Sequence, residues 1–129
     1  MATDMDEADR QRAICAHALY LLNLLLAPGL GFAALWWCRR RWQPQAGAEL
    51  RQHLQQAFIA ALWSGVLLLL VTAAVPLLGG FGNSTTWIVL ILYFTLIHAA
   101  LVLSGAYALA RAMAGLPCRY PLPGLWRPR

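Results

Sequence analysis

The fold is decided by two uncharged stretches, AFIAALWSGVLLLLVTAAVPLL at residues 57–78 and WIVLILYFTLIHAALVLSGAYALA at residues 87–110. Each is at least as long as the roughly 20 helical residues needed to cross the hydrocarbon core of a bilayer. The connector between them, GGFGNS at residues 79–84, is made of turn-forming residues and Phe81. This pattern predicts an antiparallel pair of transmembrane helices.

A third apolar run, at residues 13–38, is interrupted by Pro28 and Gly29. Because the pieces on either side are each too short to cross a bilayer, we expect one kinked transmembrane helix, with a re-entrant hairpin as the alternative. The sequence therefore predicts an all-α membrane protein. Its single membrane domain would have transmembrane helices at 13–38, 57–78 and 87–110.

The composition also argues against a water-soluble domain. Of the 129 residues, 60% are hydrophobic and 12% are charged, whereas a soluble domain has about 45–50% and about 25%. All ten basic residues are Arg and the net charge is +5, but the charges are confined to a few clusters. Nucleic-acid binding is therefore not expected, and membrane lipids are the predicted environment.

The charge clusters predict an orientation. The tail at residues 1–12 is acidic, whereas most Arg residues lie in the loop at 39–56 and in the Pro-rich tail at 111–129. The positive-inside rule then places the loop and the C-terminal tail in the cytoplasm, with the N-terminus outside. The start of the chain lacks the basic region of a secretory signal peptide, so we expect a multi-pass protein of the bacterial inner membrane that keeps its N-terminus.

The loop at 39–56 has a pattern of its own. Leu50, Leu54 and Phe58 recur every four residues with polar residues between them, which predicts a short cytoplasmic interfacial helix before the second transmembrane helix. Basic residues near this surface could contact anionic lipid headgroups or an acidic partner. The residues are Arg39, Arg40, Arg41, Arg51 and Arg119.

Small residues at four-residue spacing predict where helices approach closely in lipid. One stripe is Ala57, Ala61 and Gly65, and the other is Ala100, Ser104 and Ala108. The two stripes could meet as one seam. Alternatively, one of them packs against another subunit.

Polar residues inside the spans form a second predicted group. Asn23, Thr72, Thr95 and His98 fall at similar depths, where they would share interhelical hydrogen bonds or, alternatively, hold a ligand, a haem or an ion. The other histidines are expected far from His98 and from each other, with His17 near the outer edge and His53 in the cytoplasmic loop. A haem held by two histidines is therefore not expected.

Motifs for chemistry are missing from the sequence. It has no paired carboxylates within the spans, no nucleophile elbow, no phosphate-binding Gly-rich loop and no Cys-x-x-Cys. We therefore expect no catalytic, cofactor or metal site, and a protein that is not an enzyme.

Three short segments together carry a family resemblance. They are Ala16-His17-Ala18-Leu19 with Pro28 downstream, His53-Leu54-Gln55-Gln56-Ala57-Phe58, and Ala112-Met113-Ala114-Gly115 followed by Arg119-Tyr120-Pro121-Leu122. With this order and spacing the chain resembles the small bacterial MamF-like membrane family, which is considered distantly similar to the inner-envelope import-channel subunit of chloroplasts. The resemblance implies a non-enzymatic membrane role.

Together these observations predict an accessory or assembly subunit of a larger membrane complex, with other membrane-protein subunits as partners. One alternative is an oligomeric pore or translocation component, as the import-channel similarity implies. The other is a haem- or quinone-associated subunit with its site around His98.

Overall fold

The computed structural model describes residues 5–26 and 28–118, and this part of the chain contains helices and turns but no strand. After α1 and α2 comes one uninterrupted helix over Ala48–Gly79, which consists of α3, a π-helical segment and α4, and α5 follows it. The bounds are α1 Glu7–Leu25, α2 Leu30–Trp42, α3 Ala48–Gly65, the π-helical segment Val66–Leu70, α4 Val71–Gly79 and α5 Ser84–Met113.

Two helices in the described residues are long and apolar enough to cross a membrane. They are Ala48–Gly79, with 32 residues, and Ser84–Met113, with 30 residues. Only 17% of the most apolar window of each is buried inside the protein, so most of this apolar surface needs a lipid or protein neighbour. The all-helical fold is thus as predicted, but three transmembrane helices are not confirmed.

The run at residues 13–38 is a helical hairpin, so the expectation of one kinked helix is wrong and the alternative of a hairpin fits the structure. α2 runs back along α1, and a Cβ added to Gly31 would lie 2.7 Å from the backbone of Asn23. Gly29 has φ +90°, which lets the chain reverse. The Asn23 side-chain oxygen accepts hydrogen bonds from the backbone N–H groups of Gly29, at 2.9 Å, and Phe32, at 3.0 Å. These bonds satisfy amides that begin α2, which is why the reversal is stable.

Because of this reversal, the start of α1 lies beside the loop at 39–56. The Gly47 backbone N–H donates to Asp9 Oδ2 at 3.4 Å. Cys15 of α1 and Cys38 of α2 lie on the two packed helices of the hairpin. The expected placement of the N-terminal tail and this loop on opposite sides of a membrane does not fit this geometry.

α1 is the centre of the packing. It lies against α2, α3 and α5, and it contacts α3 and α5 much more extensively than they contact each other. Small residues on all three helices allow the close approach; Ala13, Ala16, Ala57, Ala108 and Ala112 are buried. Leu50 and Leu54 are also buried, because α3 begins at Ala48 and turns them toward this core. The helix predicted to run from this loop into the second apolar run is present, but Leu50 and Leu54 face the protein core, so the expectation that they form the apolar face of an interfacial helix is wrong.

The bundle has an uneven thickness along its length. α1 and α2 cover α3 and the second half of α5, whereas α4 packs only against α5 and the π-helical segment among the described elements. The turn joining α4 and α5 is held by the Thr86 hydroxyl, which donates to the Gly79 carbonyl at 2.9 Å, and by Asn83, which caps α5. We call the end built by α4 and the start of α5 the two-helix end.

Candidate functional site

A buried pair of histidines links α1 to α3. His17 Nε2 lies 3.0 Å from His53 Nδ1, and the two rings meet edge to face at 86°. The exposed fractions are 0% and 1%. Since one nitrogen must donate the hydrogen and the other must accept it, this contact requires a defined tautomer of each ring. The sequence placed these histidines far apart because it placed α1 and the loop on opposite sides of the membrane.

The outer nitrogens of this pair, His17 Nδ1 and His53 Nε2, are buried and have no hydrogen-bond partner of good geometry among the described residues. Burial, and next the neighbouring His53, lower the pKa of His17 to about 3. The His17 ring is therefore neutral near pH 7. Among residues 5–26 and 28–118, no group of three His, Cys, Asp or Glu side chains is placed to hold a metal ion.

Tyr20 joins α1 to α5 one turn beyond His17. Its ring is fully buried, and its hydroxyl donates to the backbone carbonyl of Leu101 at 3.3 Å. Burial raises the pKa of Tyr20 to about 12, so the hydroxyl keeps its proton. Gly105 makes room for the ring, because a Cβ at Gly105 would lie 2.6 Å from Tyr20 Cε1.

A cavity of about 430 Å³ lies between the α1–α2 turn, the π-helical segment and α5. Of the predicted polar cluster, Asn23, Thr72 and His98 line this cavity, while Thr95 is exposed and does not line it. The ring of Phe94 stacks on His98 with 8° between the planes and 5.5 Å between centroids. The remaining lining is mainly aliphatic, from Leu24, Leu62, Val66, Leu68 and Leu69.

The residues of the two predicted small-residue stripes differ in how deeply they are buried. Ala57, Ala61 and Ala108 are buried, Ser104 is half-buried and Ala100 is exposed. Gly65 lines the cavity, with no atom within 4 Å of an added Cβ. α5 approaches α1 closely at Gly105, which is the residue after Ser104 of the predicted stripe. Gly105 lies on the same face of α5 as Leu101, Ala108 and Ala112. This spacing was the signal in the sequence that could have identified Gly105.

Three arginines at the end of α2 each lie over an aromatic ring. Arg39 lies 4.4 Å from the centroid of Phe58, and Arg40 and Arg41 lie over Trp36 and Trp37. Such cation–π contacts hold the guanidinium groups against an apolar surface. Arg51 donates to the Ala46 carbonyl at 3.2 Å, whereas Arg119 lies outside the described residues. This basic and aromatic collar suits the headgroup level of a bilayer.

Comparison with known families identifies the relatives of this chain. The model of the MamF/MmsF family, described as the magnetosome magnetite crystal formation protein family, matches residues 8–127. The chain belongs to this family. The match confirms the resemblance found in the sequence, and it spans the histidine pair, the cavity and both long apolar helices. No curated protein and no solved structure matches the chain.

The MamF/MmsF family is linked to magnetosome magnetite crystal formation, which is a membrane-associated role. The two long apolar helices agree with this link. Together they indicate a membrane protein.

Proposed function

We propose that this protein is a non-catalytic membrane subunit that assembles with other membrane proteins during magnetosome magnetite crystal formation. The family match supports the process. The observation that carries the proposal of assembly is the two-helix end, where α4 and the start of α5 have no other helix of the described chain beside them.

The two-helix end presents large apolar side chains on its outer surface. Leu78 is 89% exposed, and Leu77, Ile91 and Leu92 are also exposed. Lipid covers apolar surface as well as protein does, so these leucines alone do not favour assembly. Because only two helices of the described chain lie at this end of the bundle, however, there is room for further helices beside them.

α5 also carries small residues on the face turned away from α1. Thr95, Ala99, Ala106 and Ala110 are all exposed, and at 100° per residue they fall within an arc of about 60°. Small residues let helix backbones approach closely in lipid, where van der Waals packing drives association. This face therefore suits a helix of another subunit better than lipid chains.

The collar of Arg39, Arg40 and Arg41 supports an orientation. Applying the positive-inside rule to this fold, we place the collar end in the cytoplasm, together with the start of α1 and the end of α5. In bacteria this membrane would be the inner membrane or a membrane derived from it. The two-helix end then lies toward the opposite surface.

Photo-crosslinking in native membranes tests the proposal. A photoreactive amino acid replaces Leu92, at the two-helix end, or Ala106, on the small face of α5. The matched control replaces Trp37, which is also exposed but belongs to the α2 collar. We expect discrete protein adducts from Leu92 and Ala106, and mainly lipid adducts from Trp37. Lipid adducts alone from all three positions would contradict the proposal.

Purification in a mild detergent then distinguishes the kind of assembly. We expect a complex that contains other membrane proteins in a fixed ratio. A pure homo-oligomer that conducts ions in planar bilayers would instead favour a pore and contradict the proposed role.

A further inference from the structure

The turn between α1 and α2 lies level with the middle of both long apolar helices. Gly29 of this turn lines the same cavity as Gly65 and His98, which are near the midpoints of the Ala48–Gly79 and Ser84–Met113 helices. Leu26 and Leu30, on either side of the turn, are 78% and 75% exposed. When the two long helices cross a bilayer, the turn is therefore inside the hydrocarbon core.

α2 runs from this depth back toward one surface of the bilayer. It lies along α1 and has 13 residues. At about 1.5 Å per residue, Arg40 is about 15 Å along the helix from Leu30, and half of the hydrocarbon core is also about 15 Å thick. The collar of Arg39, Arg40 and Arg41 is therefore at the edge of the core, where long basic side chains reach the lipid headgroups.

The collar arginines have no acidic partner among the described residues. The two ion pairs in this part of the chain, Arg10 with Glu7 and Arg12 with Asp9, lie within α1. The collar arginines instead contact aromatic rings, and a cation–π contact does not use the N–H donors of a guanidinium group. Three neighbouring positive charges with unused donors favour an anion at this surface.

The aromatic rings distinguish a lipid from a soluble acidic partner. Trp36 and Trp37 are 47% and 59% exposed, and they lie under the guanidinium groups of Arg40 and Arg41, one helical turn deeper in the bilayer. A soluble acidic protein reaches the guanidinium groups but not the rings below them. A phospholipid contacts both, since its phosphate lies above the start of its acyl chains and indole rings are typical of this level.

We propose that the collar binds the phosphate group of an anionic phospholipid such as phosphatidylglycerol. Arg40 and Arg41 donate N–H hydrogen bonds to the phosphate oxygens, because two donors of one guanidinium group fit two oxygens of a phosphate. The start of the acyl chains lies against Trp36 and Trp37. The bound lipid holds the α1–α2 hairpin at its depth. This inference is independent of the proposed assembly role, since it concerns lipid at α2 and not protein at the two-helix end.

Native mass spectrometry of the purified full chain in a neutral detergent tests the site, with dioleoyl-phosphatidylglycerol and dioleoyl-phosphatidylcholine as probes. Arg40→Gln/Arg41→Gln removes two exposed charges of the collar. The matched control is Arg10→Gln/Arg12→Gln, which removes two charges from α1 and therefore has the same net charge. Circular dichroism checks that both variants are folded.

We expect the unaltered chain to bind phosphatidylglycerol at least tenfold more tightly than phosphatidylcholine. One basic residue at the membrane surface changes the affinity for anionic lipid about fivefold, so the collar variant should lose at least about tenfold in phosphatidylglycerol affinity. The control, whose arginines are paired within α1, should lose less than about threefold.

Three results would overturn the proposal. Equal affinity for the two lipids would show that the charge of the headgroup is not recognised. Equal losses in the two variants would assign the binding to net charge. Displacement of phosphatidylglycerol by polyglutamate or by inorganic phosphate, at the same concentration of negative charge, would identify an acidic protein or free phosphate as the ligand of the collar.

Discussion

Gly105 is the position at which one added methyl group tests the packing of α1 on α5. A Cβ there would lie 2.6 Å from Tyr20 Cε1 and 2.7 Å from Leu21 Cδ2. The Tyr20 ring is fully buried, so it can move away only by shifting α1. Gly65 is the matched control, since an added Cβ at that helical glycine meets nothing within 4 Å.

The expected difference in stability between Gly105→Ala and Gly65→Ala follows from the contributions of helix propensity, overpacking and one hydrogen bond. Both Gly→Ala substitutions gain helix propensity, up to about 1 kcal/mol. Only Gly105→Ala adds overpacking, which costs about 1–3 kcal/mol. Displacing Tyr20 also weakens its hydrogen bond to the Leu101 carbonyl, which is worth about 1 kcal/mol. We therefore expect Gly105→Ala to be about 2–4 kcal/mol less stable than Gly65→Ala.

The assay is reversible unfolding of both variants in mixed micelles titrated with dodecyl sulfate, followed by circular dichroism and tryptophan fluorescence. Gly65→Ala should unfold at the same or a higher dodecyl sulfate fraction than the unaltered protein, and Gly105→Ala at a lower one. If the two variants differed by less than about 0.5 kcal/mol, which is typical of an unconstrained surface site, the close contact of α1 with α5 would be refuted.

Three further predictions use the same unfolding measurement. Asn23→Ala removes the acceptor for two backbone amides of the α1–α2 turn and should lower the free energy of unfolding by about 1–2 kcal/mol. Asn23→Asp keeps an acceptor and should keep most of the stability. Equal free energies of unfolding for the two variants would contradict this role of Asn23. Tyr93→Phe should cost about 1 kcal/mol through the bond to the Leu67 carbonyl, and no change would mean that this bond does not hold the π-helical segment. Since the pKa of His17 falls from 6.5 to about 3 on folding, the unfolded chain binds more protons between these values; stability should be full above pH 6.5 and decline toward pH 3, by up to about 1.4 kcal/mol per pH unit. His17→Gln should flatten this decline, and an unchanged slope would assign it to other groups.

The long apolar helices could be predicted from the sequence because hydropathy over some twenty residues is a local property. The runs at 57–78 and 87–110 lie within Ala48–Gly79 and Ser84–Met113, and the connector at 79–84 forms the turn between them. Their depth also brought Asn23, Thr72 and His98 to the same level, which is why these three share one cavity.

From the sequence, the hairpin at residues 13–38 could be predicted only as the alternative to one kinked helix. A kinked spanning helix and a helix that reverses at Gly29 have the same hydropathy. The choice depends on the Asn23 side chain and on the close approach at Gly31, which are contacts formed only in the folded chain. The His17–His53 pair follows from this reversal, and it was not predicted because the kinked helix was the preferred interpretation. The π-helical segment was also missed, because VLLLL at residues 66–70 contains neither Pro nor Gly.

Cross-linking of two native cysteines tests the central claim, which is that α2 folds back along α1. In the structure Cys15 of α1 and Cys38 of α2 lie on helices that pack together, and the axes of packed helices are about 8–10 Å apart. In a single helix over 13–38, their rise of about 1.5 Å per residue would separate them by about 35 Å. The measurement is a short bismaleimide reaction on the Cys118→Ala chain at one chain per nanodisc, followed by mass spectrometry. The hairpin predicts an intrachain link from Cys15 to Cys38. Single modification of both cysteines without any link would contradict it.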